Sequence, residues 1–312
     1  MRRVRGVLID LSGTVHVDEH AIAGSVEAVR KLLALGATGA GPQVRFVTNT
    51  SKESAHSLRA RLVRLGVLDE AETPPPSSSL IFSSLTAARA HLLARSLRPL
   101  LLLSEDSLAD FADLPTDNPN AVVLGLAPDQ FHYSRLNEAF RLLVANPSAP
   151  LIAVNKSRYM KVADGGLSLG TGAFAAALEF STGRTAAVIG KPSKGFFQTV
   201  LDDMGCQAEE AVMIGDDLLD DVGGAQEAGI RGYLVRTGKF RAEDERHDLV
   251  HPDGIFDTLL PPLTTSSSSS SPPLISLPDN TPSSPQSSSF SFPFSVPFPH
   301  FLTRHLGGVS SR

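Results

Sequence analysis

Val7-Leu8-Ile9-Asp10-Leu11-Ser12-Gly13-Thr14, close to the start of the chain, decides the fold. A short apolar run stopped by an acid and then by turn residues reads as a buried strand, not as the first turn of a helix. After it, Val26, Val29, Leu32 and Leu33 recur at helical spacing, and Gly36 supplies a stop. Val44 to Thr48 is a second strand running into Asn49. Thr50 and Glu53 stand at capping-box spacing and predict that the next helix starts there, with Leu58, Leu62 and Leu65 on one face. The same alternation resumes far along the chain. Ala187 to Gly190 reads as a strand ending at Lys191, and Pro192 precedes a helix carrying Phe197, Val200, Leu201 and Met204 up to Gly205. Ala211 to Gly215 is a strand ending at Asp216 and Asp217, followed by a helix with Leu218, Val222 and Ala225 on one side that stops at Gly229. Gly232 to Val235 is a fifth strand before Thr237 and Gly238. Strands alternating with helices predict an α/β class with a Rossmann-like parallel-sheet core.

An open parallel sheet binds its ligand beyond the carboxyl ends of its strands. Four of the five strands end on a group suited to phosphate chemistry: Asp10, Thr48, Lys191 and Asp216. Two carboxylates ~4 Å apart repel by about 4 kcal/mol at an effective dielectric near 20. With Asp10 and Asp216 at strand ends and Asp217, Asp220 and Asp221 close by in sequence, such a site calls for a cation. Between the two halves of the core, residues 77–183 read as an inserted α/β module. Its strands are predicted over Leu100–Leu103, Ala121–Leu126 and Leu151–Val154, and its helices over Ser84–Ala94, Tyr133–Val144 and Gly172–Phe180. An insertion of this kind is a natural cap over a site between residues 1–76 and 184–262. The Pro74-Pro75-Pro76 run is expected to stiffen the first connection.

Composition narrows the function classes. With 42% apolar and 20% charged residues the chain can bury a sizeable core. A net charge of −5 argues against nucleic acid as the main partner. One cysteine, Cys206, excludes a disulfide framework or a cysteine zinc site within the chain. No apolar run approaches the ~18 residues of a membrane span. Asp10 interrupts the first apolar stretch too early for a signal peptide, so a cytoplasmic protein is expected and the Asn49-Thr50-Ser51 and Asn155-Lys156-Ser157 sequons are discounted. Residues 263–312 are rich in Ser and Pro and poor in charge; this tail is expected to be disordered. Phe290 to Phe301, where Phe alternates with Ser and Pro, is its one stretch with a binding-motif look. No repeat of solenoid length occurs.

At this point the chain resembles the haloacid dehalogenase (HAD) superfamily of phosphohydrolases over roughly residues 4–260. Asp10-Leu11-Ser12-Gly13-Thr14 is similar to its first motif, usually D-x-D-G-T. Val44 to Asn49 resembles the second, Lys191 before Pro192 the third, and Gly215-Asp216 with Asp221 the acidic fourth. A large α/β cap between the second and third motifs resembles the p-nitrophenyl-phosphatase and nucleotide-phosphatase subgroup. The resemblance implies Asp10 as nucleophile toward phosphorus and Lys191 as the fixed positive charge beside it. It implies Mg²⁺ held by Asp10, the Ser12 carbonyl and Asp216, with Asp221 bound through water or standing behind the direct ligands. Thr48, Asn49 and the turn amides near Leu11 and Ser12 are expected to donate to phosphoryl oxygens, and Asn155 and Gly172 to face the substrate entrance. A small phosphorylated substrate and a homodimer through the cap are implied as partners. Capping a helix is the competing reading of Asn155 and Gly172, and a structural or rim role is the reading of His16.

Ser12 departs from the motif, whose second Asp protonates the leaving group and later activates water. A hydroxyl cannot replace that acid, at a typical cost of ~10²–10⁴ in rate. Substrates whose leaving groups depart readily are therefore expected: pyrophosphate, phosphoramidates or aryl phosphates. The chain also departs after Leu260, where Pro261-Pro262 and the serine tract stand in place of a closing helix. Ser12 and that tail support the competing reading, a catalytically weak or inactive phosphate-binding or regulatory protein on the same fold. Hydrolysis of carbon–halogen bonds shares the Asp nucleophile but gives no reason to gather Asp216 and Asp221 around a metal.

Overall fold

A computed structural model describes residues 4–39, 41–70, 80–161 and 166–259. The tail expected at 263–312, the absent closing helix and the Pro74–Pro76 run lie outside the described residues. The chain runs through β1 (Gly6–Ile9), the small ribbon β2 (His16–Val17) and β3 (His20–Ala21), α1 (Ser25–Ala37), β4 (Gln43–Thr48), α2 (Ala55–Arg64), β5 (Ile81–Ser83) and α3 (Ser84–Ala94). It continues through β6 (Pro99–Leu102), α4 (Glu105–Leu108), β7 (Ala121–Leu124), α5 (Tyr133–Ala145), β8 (Leu151–Ala153), a second ribbon β9 (Tyr159–Lys161) and β10 (Leu167–Leu169), and α6 (Thr171–Thr182). It closes with β11 (Ala187–Val188), α7 (Lys194–Met204), β12 (Ala211–Gly215), α8 (Gly224–Glu227), β13 (Arg231–Val235) and β14 (Gly254–Phe256).

Six of these strands form one sheet in the order β14-β13-β12-β1-β4-β5, parallel throughout. Alternation along β1 sends Val7 and Ile9 to one face, where Ala28, Val29 and Leu32 of α1 and Leu58 and Leu62 of α2 cover them. Leu8 goes to the other face with Met213, under Phe197, Val200 and Leu201 of α7. Burial on both faces is why these strands read as continuous apolar runs. From β1 the chain first winds outward through β4 and β5, and later returns to build β12, β13 and β14 on the opposite side. The winding direction therefore reverses between β1 and β12, the place where open α/β sheets hold ligands.

The second sheet has the order β11-β8-β7-β6, also parallel. Leu100, Leu102, Val122 and Leu124 pack on α5 and α6. Val123 and Ile152 face the other way, against Leu85, Ala88 and Leu92 of α3. The three insertion helices and three insertion strands predicted from the sequence all form, each within three residues of the predicted ends.

Two expectations are corrected. The strand predicted over 187–190 as part of the core sheet pairs instead with β8: Ala187 aligns with Ile152, and the Ile189 and Gly190 amides donate to the Ala153 and Val154 carbonyls. An apolar run announces a strand but not its sheet. By pairing, the chain leaves the first sheet after Ser83 and the second after Val188. The capping box expected at Thr50 and Glu53 does not start α2. Ser54 is the N-cap and accepts the Ser57 amide at 3.2 Å. Glu53 pairs with Arg61 instead.

The start of α2 is also served from the second layer. Asp106 of α4 accepts the Ser54 amide at 2.7 Å, and Asp110, just beyond α4, accepts the Ala55 amide at 3.0 Å. Carboxylates suit a helix N-terminus, where the unpaired amides gather partial positive charge. Among the described residues no helix is long and apolar enough to cross a membrane.

Candidate active site

Asp10 directly follows β1 and Asp216 directly follows β12, so the reversal point carries both carboxylates. The Asp10 amide donates to the Ile214 carbonyl at 2.9 Å, prolonging the β1–β12 pairing to the acid itself. Asp217 caps the wide π-type turn Leu218–Gly223 by accepting the Leu219 and Asp220 amides at 3.1 and 2.9 Å. That turn swings Asp221 back under the strand end, where the Asp217 amide donates to its Oδ2 at 3.1 Å. One oxygen from each of Asp10, Asp216 and Asp221 falls within 4.8 Å of the others, and all three residues are buried.

Lys191 joins two of these acids. Its Nζ donates to Asp10 Oδ1 and Asp221 Oδ1, both at 2.6 Å, and to the Val47 carbonyl at 2.9 Å, with the side chain only 2% exposed. Burial alone would depress its pKa; Asp10 and Asp221 outweigh that and hold the ammonium above its usual value. Burial pushes Asp221 up to about 7, with Asp10 adding to the push and Lys191 opposing it. Asp216 is driven well above the usual carboxylate range, by burial first and then by Asp10 and Asp221. Burial and Asp217 raise Asp220 to about 6.

Backbone holds Asp216 closely. Gly13 (φ 96°) and Gly238 (φ 54°) pass so near that a Cβ on either would lie 2.1 Å from Asp216 Oδ2. The Lys239 amide donates to the same oxygen at 2.7 Å, and its ammonium sits 2.9 Å from Asp217 Oδ2. Thr14, fully buried, reaches Asp10 Oδ2 at 3.3 Å and Asp216 Oδ1 at 3.4 Å. Within this group three buried carboxylates face one buried ammonium. The surplus of hard oxygen donors in a cradle too tight for a Cβ fits a small, hard divalent cation.

A cavity of about 590 Å³ opens over these groups, lined by Asp10, Ser12, Thr48, Asn49, Lys191, Asp216 and Asp221 from the first layer. Asn155, Tyr159, Gly170 and Thr171 line it from the second. Arg241 meets the Tyr159 hydroxyl and lies 5.2 Å over its ring, joining the two layers at the cavity. Ser12 is exposed, and Thr48 is buried with its Oγ1 accepting the Thr50 amide at 3.2 Å. The two expected entrance residues part ways. Asn155 lines the cavity, whereas Gly172 is not among the lining residues and packs its backbone on the loop 156–157. Its amide donates to the Ser157 carbonyl, and a Cβ there would lie 2.6 Å from the Lys156 carbonyl oxygen. His16 is buried, its Nδ1 2.9 Å from the Asp18 carbonyl, and burial followed by Arg61 lowers its pKa.

The sequence pattern did not single out Thr14, Lys239, Tyr159 or Thr171. The first was in plain view inside the Asp10–Thr14 motif. Lys239 was within reach of the carboxyl-end rule that singled out Asp216, since that rule applies equally to Thr237-Gly238-Lys239 after the fifth strand. Nothing in local pattern marks Tyr159, and Thr171 is marked only as lying between Gly170 and Gly172 at a helix start.

The family model described as Haloacid dehalogenase-like hydrolase matches residues 7–114, and a second HAD-hydrolase-like model matches 188–261. Human haloacid dehalogenase-like hydrolase domain-containing protein 2 is 51% identical over 244 residues, 78% of this chain and 88% of that protein. Bovine phospholysine phosphohistidine inorganic pyrophosphate phosphatase is 43% identical over 263 residues, 82% of this chain and 92% of that one. Among solved structures, 4-nitrophenylphosphatase from Thermotoga maritima superposes with a TM-score of 0.71 at 27% identity, covering 82% of this chain and 95% of its own. Glycerol phosphate phosphatase from Mycobacterium tuberculosis, solved in complex with magnesium, gives 0.68 at 28% identity, covering 83% and 78%. With its acids at the reversal point and identity of this extent over most of its length, the chain is an enzyme of the haloacid dehalogenase-like hydrolase family.

Proposed function

We propose that this enzyme is a Mg²⁺-dependent phosphohydrolase that works through an aspartyl-phosphate on small phosphorylated substrates with good leaving groups. The observation that carries the reading is the buried group Asp10–Lys191–Asp221–Asp216 facing a cavity at the sheet's reversal point. Lys191 holds Asp10 Oδ1 at 2.6 Å, whereas Oδ2 has a longer contact, 3.3 Å, with the Thr14 hydroxyl. Oδ2 is therefore the oxygen free to attack phosphorus. A P–O bond to Asp10 forms, the bond to the leaving group breaks with its electron pair, and water then attacks phosphorus to release phosphate and restore the carboxylate. Asp10, Asp216, Asp221 and the Ser12 carbonyl would hold Mg²⁺, which when bound offsets the negative charge gathered by phosphate and carboxylates. Thr48, at the cavity wall, would donate its hydroxyl to a phosphoryl oxygen.

Ser12 brings no carboxyl group to the leaving-group oxygen, so departure depends on the leaving group's own stability. Pyrophosphate, phosphoramidates and aryl phosphates meet that requirement. The names of the bovine pyrophosphate phosphatase and the bacterial nitrophenylphosphatase support the same classes. The second sheet and its helices act in this reading as a cap that excludes water, with Tyr159 and Thr171 near the substrate's distal part. A homodimer through that cap and a cytoplasmic location belong to the same proposal; sedimentation and cell fractionation test them.

The deciding experiment is Mg²⁺-dependent phosphate release from pyrophosphate, phosphohistidine, p-nitrophenyl phosphate and an alkyl phosphate, with Asp10→Asn alongside. Turnover that vanishes in the variant and on chelation is expected, with the alkyl ester slowest. Equal inertness of both proteins, folded and supplied with Mg²⁺, would overturn the reading.

A further inference from the structure

We infer that Asn49 is a positioning residue for Lys191, itself fixed by Asn155, and that neither asparagine donates to the phosphoryl group through its side chain. The inference rests on the reading of Lys191 as a catalytic residue.

Lys191 lies in a turn between β11 and α7, outside both sheets, so strand pairing does not fix its main chain. A side chain does this instead. Asn49 Oδ1 accepts the Lys191 amide at 2.9 Å, and Asn49 Nδ2 donates to the Lys191 carbonyl at 2.8 Å. One planar amide thus engages both polar groups of a single residue, as a neighbouring strand would. The second Nδ2 proton goes to Asp220 Oδ2 at 3.2 Å. A primary amide has two donor protons and no more. Phosphoryl oxygens are acceptors, so Asn49 has no side-chain donor left for them. The fit is tight: a Cβ on Gly190 would lie 2.4 Å from Asn49 Oδ1 and 2.6 Å from the Val154 carbonyl oxygen.

The same accounting applies one step further out. Asn155 is 3% exposed, and its Nδ2 donates to the Asn49 carbonyl at 3.0 Å and to Ser51 Oγ at 3.4 Å. Its Oδ1 accepts from the Ser157 hydroxyl at 2.7 Å and the Ser157 amide at 3.3 Å. Both donors and both lone pairs of this side chain are committed within the protein. The chain of contacts runs from Asn155 in the second layer, to the Asn49 backbone, through the Asn49 amide to the Lys191 backbone, and from Lys191 Nζ to Asp10. It ends on the attacking carboxylate, and every link in it is a bond between protein groups.

A double-mutant cycle tests this with Asn49→Ala, Lys191→Met and the pair, reading kcat and KM separately on p-nitrophenyl phosphate. Asn49→Ala is expected to lower kcat about 10–100-fold with KM changed less than about threefold, because an interaction acting through the reacting group alters the barrier and not uniform binding. In the Lys191→Met background the same change is expected to cost less than about threefold, the mark of two residues acting as one unit. Asn155→Ala, a milder lesion, should show the same coupling if Asn49→Ala does not fold. Additive losses, or a raised KM with kcat intact, would overturn the inference. If Lys191→Met alone left kcat unchanged, the catalytic reading of Lys191 would fail as well, and that single variant reports it.

A second readout does not need turnover. The Lys191 ammonium, shielded between Asp10 and Asp221, should give a slowly exchanging ¹⁵N resonance, identified by its absence in Lys191→Met. It should broaden or vanish in folded Asn49→Ala. A resonance unmoved in that variant would refute the positioning role.

Discussion

Replacing Lys191 with methionine keeps an unbranched stem and deletes the charge that bridges Asp10 and Asp221 at 2.6 Å each. Each ion pair is worth about 4 kcal/mol at ~4 Å between charge centres and an effective dielectric near 20. The variant no longer has to desolvate the ammonium, which offsets part of that loss; removing one member of a buried pair costs about 3–5 kcal/mol in net terms. Protonation limits the damage. The sign follows from Asp221, raised to about 7 in the native protein by burial above its unfolded value. A raised carboxyl binds more protons folded than unfolded, so stability falls as pH rises from about 4 through the folded pKa. Deleting Lys191, which opposes that rise, moves the folded pKa higher still and extends the fall to higher pH. The raised pKa of Lys191 itself adds stability that is fully present below about 10.4 and constant across the range tested. Lys191→Met should therefore cost about 3–5 kcal/mol at pH 8 but only about 1–2 kcal/mol at pH 5, where Asp221 is neutral. Urea unfolding followed by circular dichroism in chelator, at both pH values, measures the difference. A cost independent of pH, or below about 1 kcal/mol at pH 8, would refute the account of Lys191 as counter-charge to ionised acids.

The same raised carboxyls predict that the wild-type protein in chelator melts at progressively lower temperature from pH 5 to pH 8, while added Mg²⁺ gives a stabilisation that grows over that interval; a metal-induced shift that shrinks with pH would contradict it. Ser12→Asp supplies the missing acid, so rates on alkyl phosphates should rise by about 10²–10⁴ with little change on aryl phosphates. The logarithm of kcat/KM against leaving-group pKa should then flatten, and equal slopes in the two proteins would sink the leaving-group argument. Gly13→Ala forces a Cβ to 2.1 Å from Asp216 Oδ2 at a φ of 96°, and should weaken Mg²⁺ binding at least about tenfold by calorimetry; unchanged affinity would show that this cradle is not the metal's.

The parts legible in the sequence are those that depend on neighbours along the chain. Apolar runs over Val7–Ile9 and Ala211–Gly215 announced the two strands, and the acid ending each fell where the carboxyl-end rule put it. The helix over Ser84–Ala94 was readable to the residue because Leu85, Ala88 and Leu92 share a face. What escaped depends on partners far away. Ala187 and Val188 carry no sign of preferring Ile152 and Ala153 to a core strand. Ser54 displaced Thr50 as the cap because Asp106 and Asp110, more than fifty residues on, accept the Ser54 and Ala55 amides. The bonds from the Asn49 amide to the Lys191 carbonyl and to Asp220 likewise join positions far apart along the chain and leave no local mark.

Those two carboxylates have a consequence for how the protein can be taken apart. Asp106 and Asp110 follow a strand of the second sheet, yet they start α2, which packs on the first, and Ser104 and Ser107 donate to the Lys52 and Ser51 carbonyls beside them. Exchanging the insertion for one from another member of the family would strip these contacts from the segment that comes after Thr48. A functioning chimera must therefore import the acids as well, or redesign the start of α2. The host and the guest sequences are constrained to change together, whereas Tyr159 and Thr171 line the cavity and take no part in these contacts.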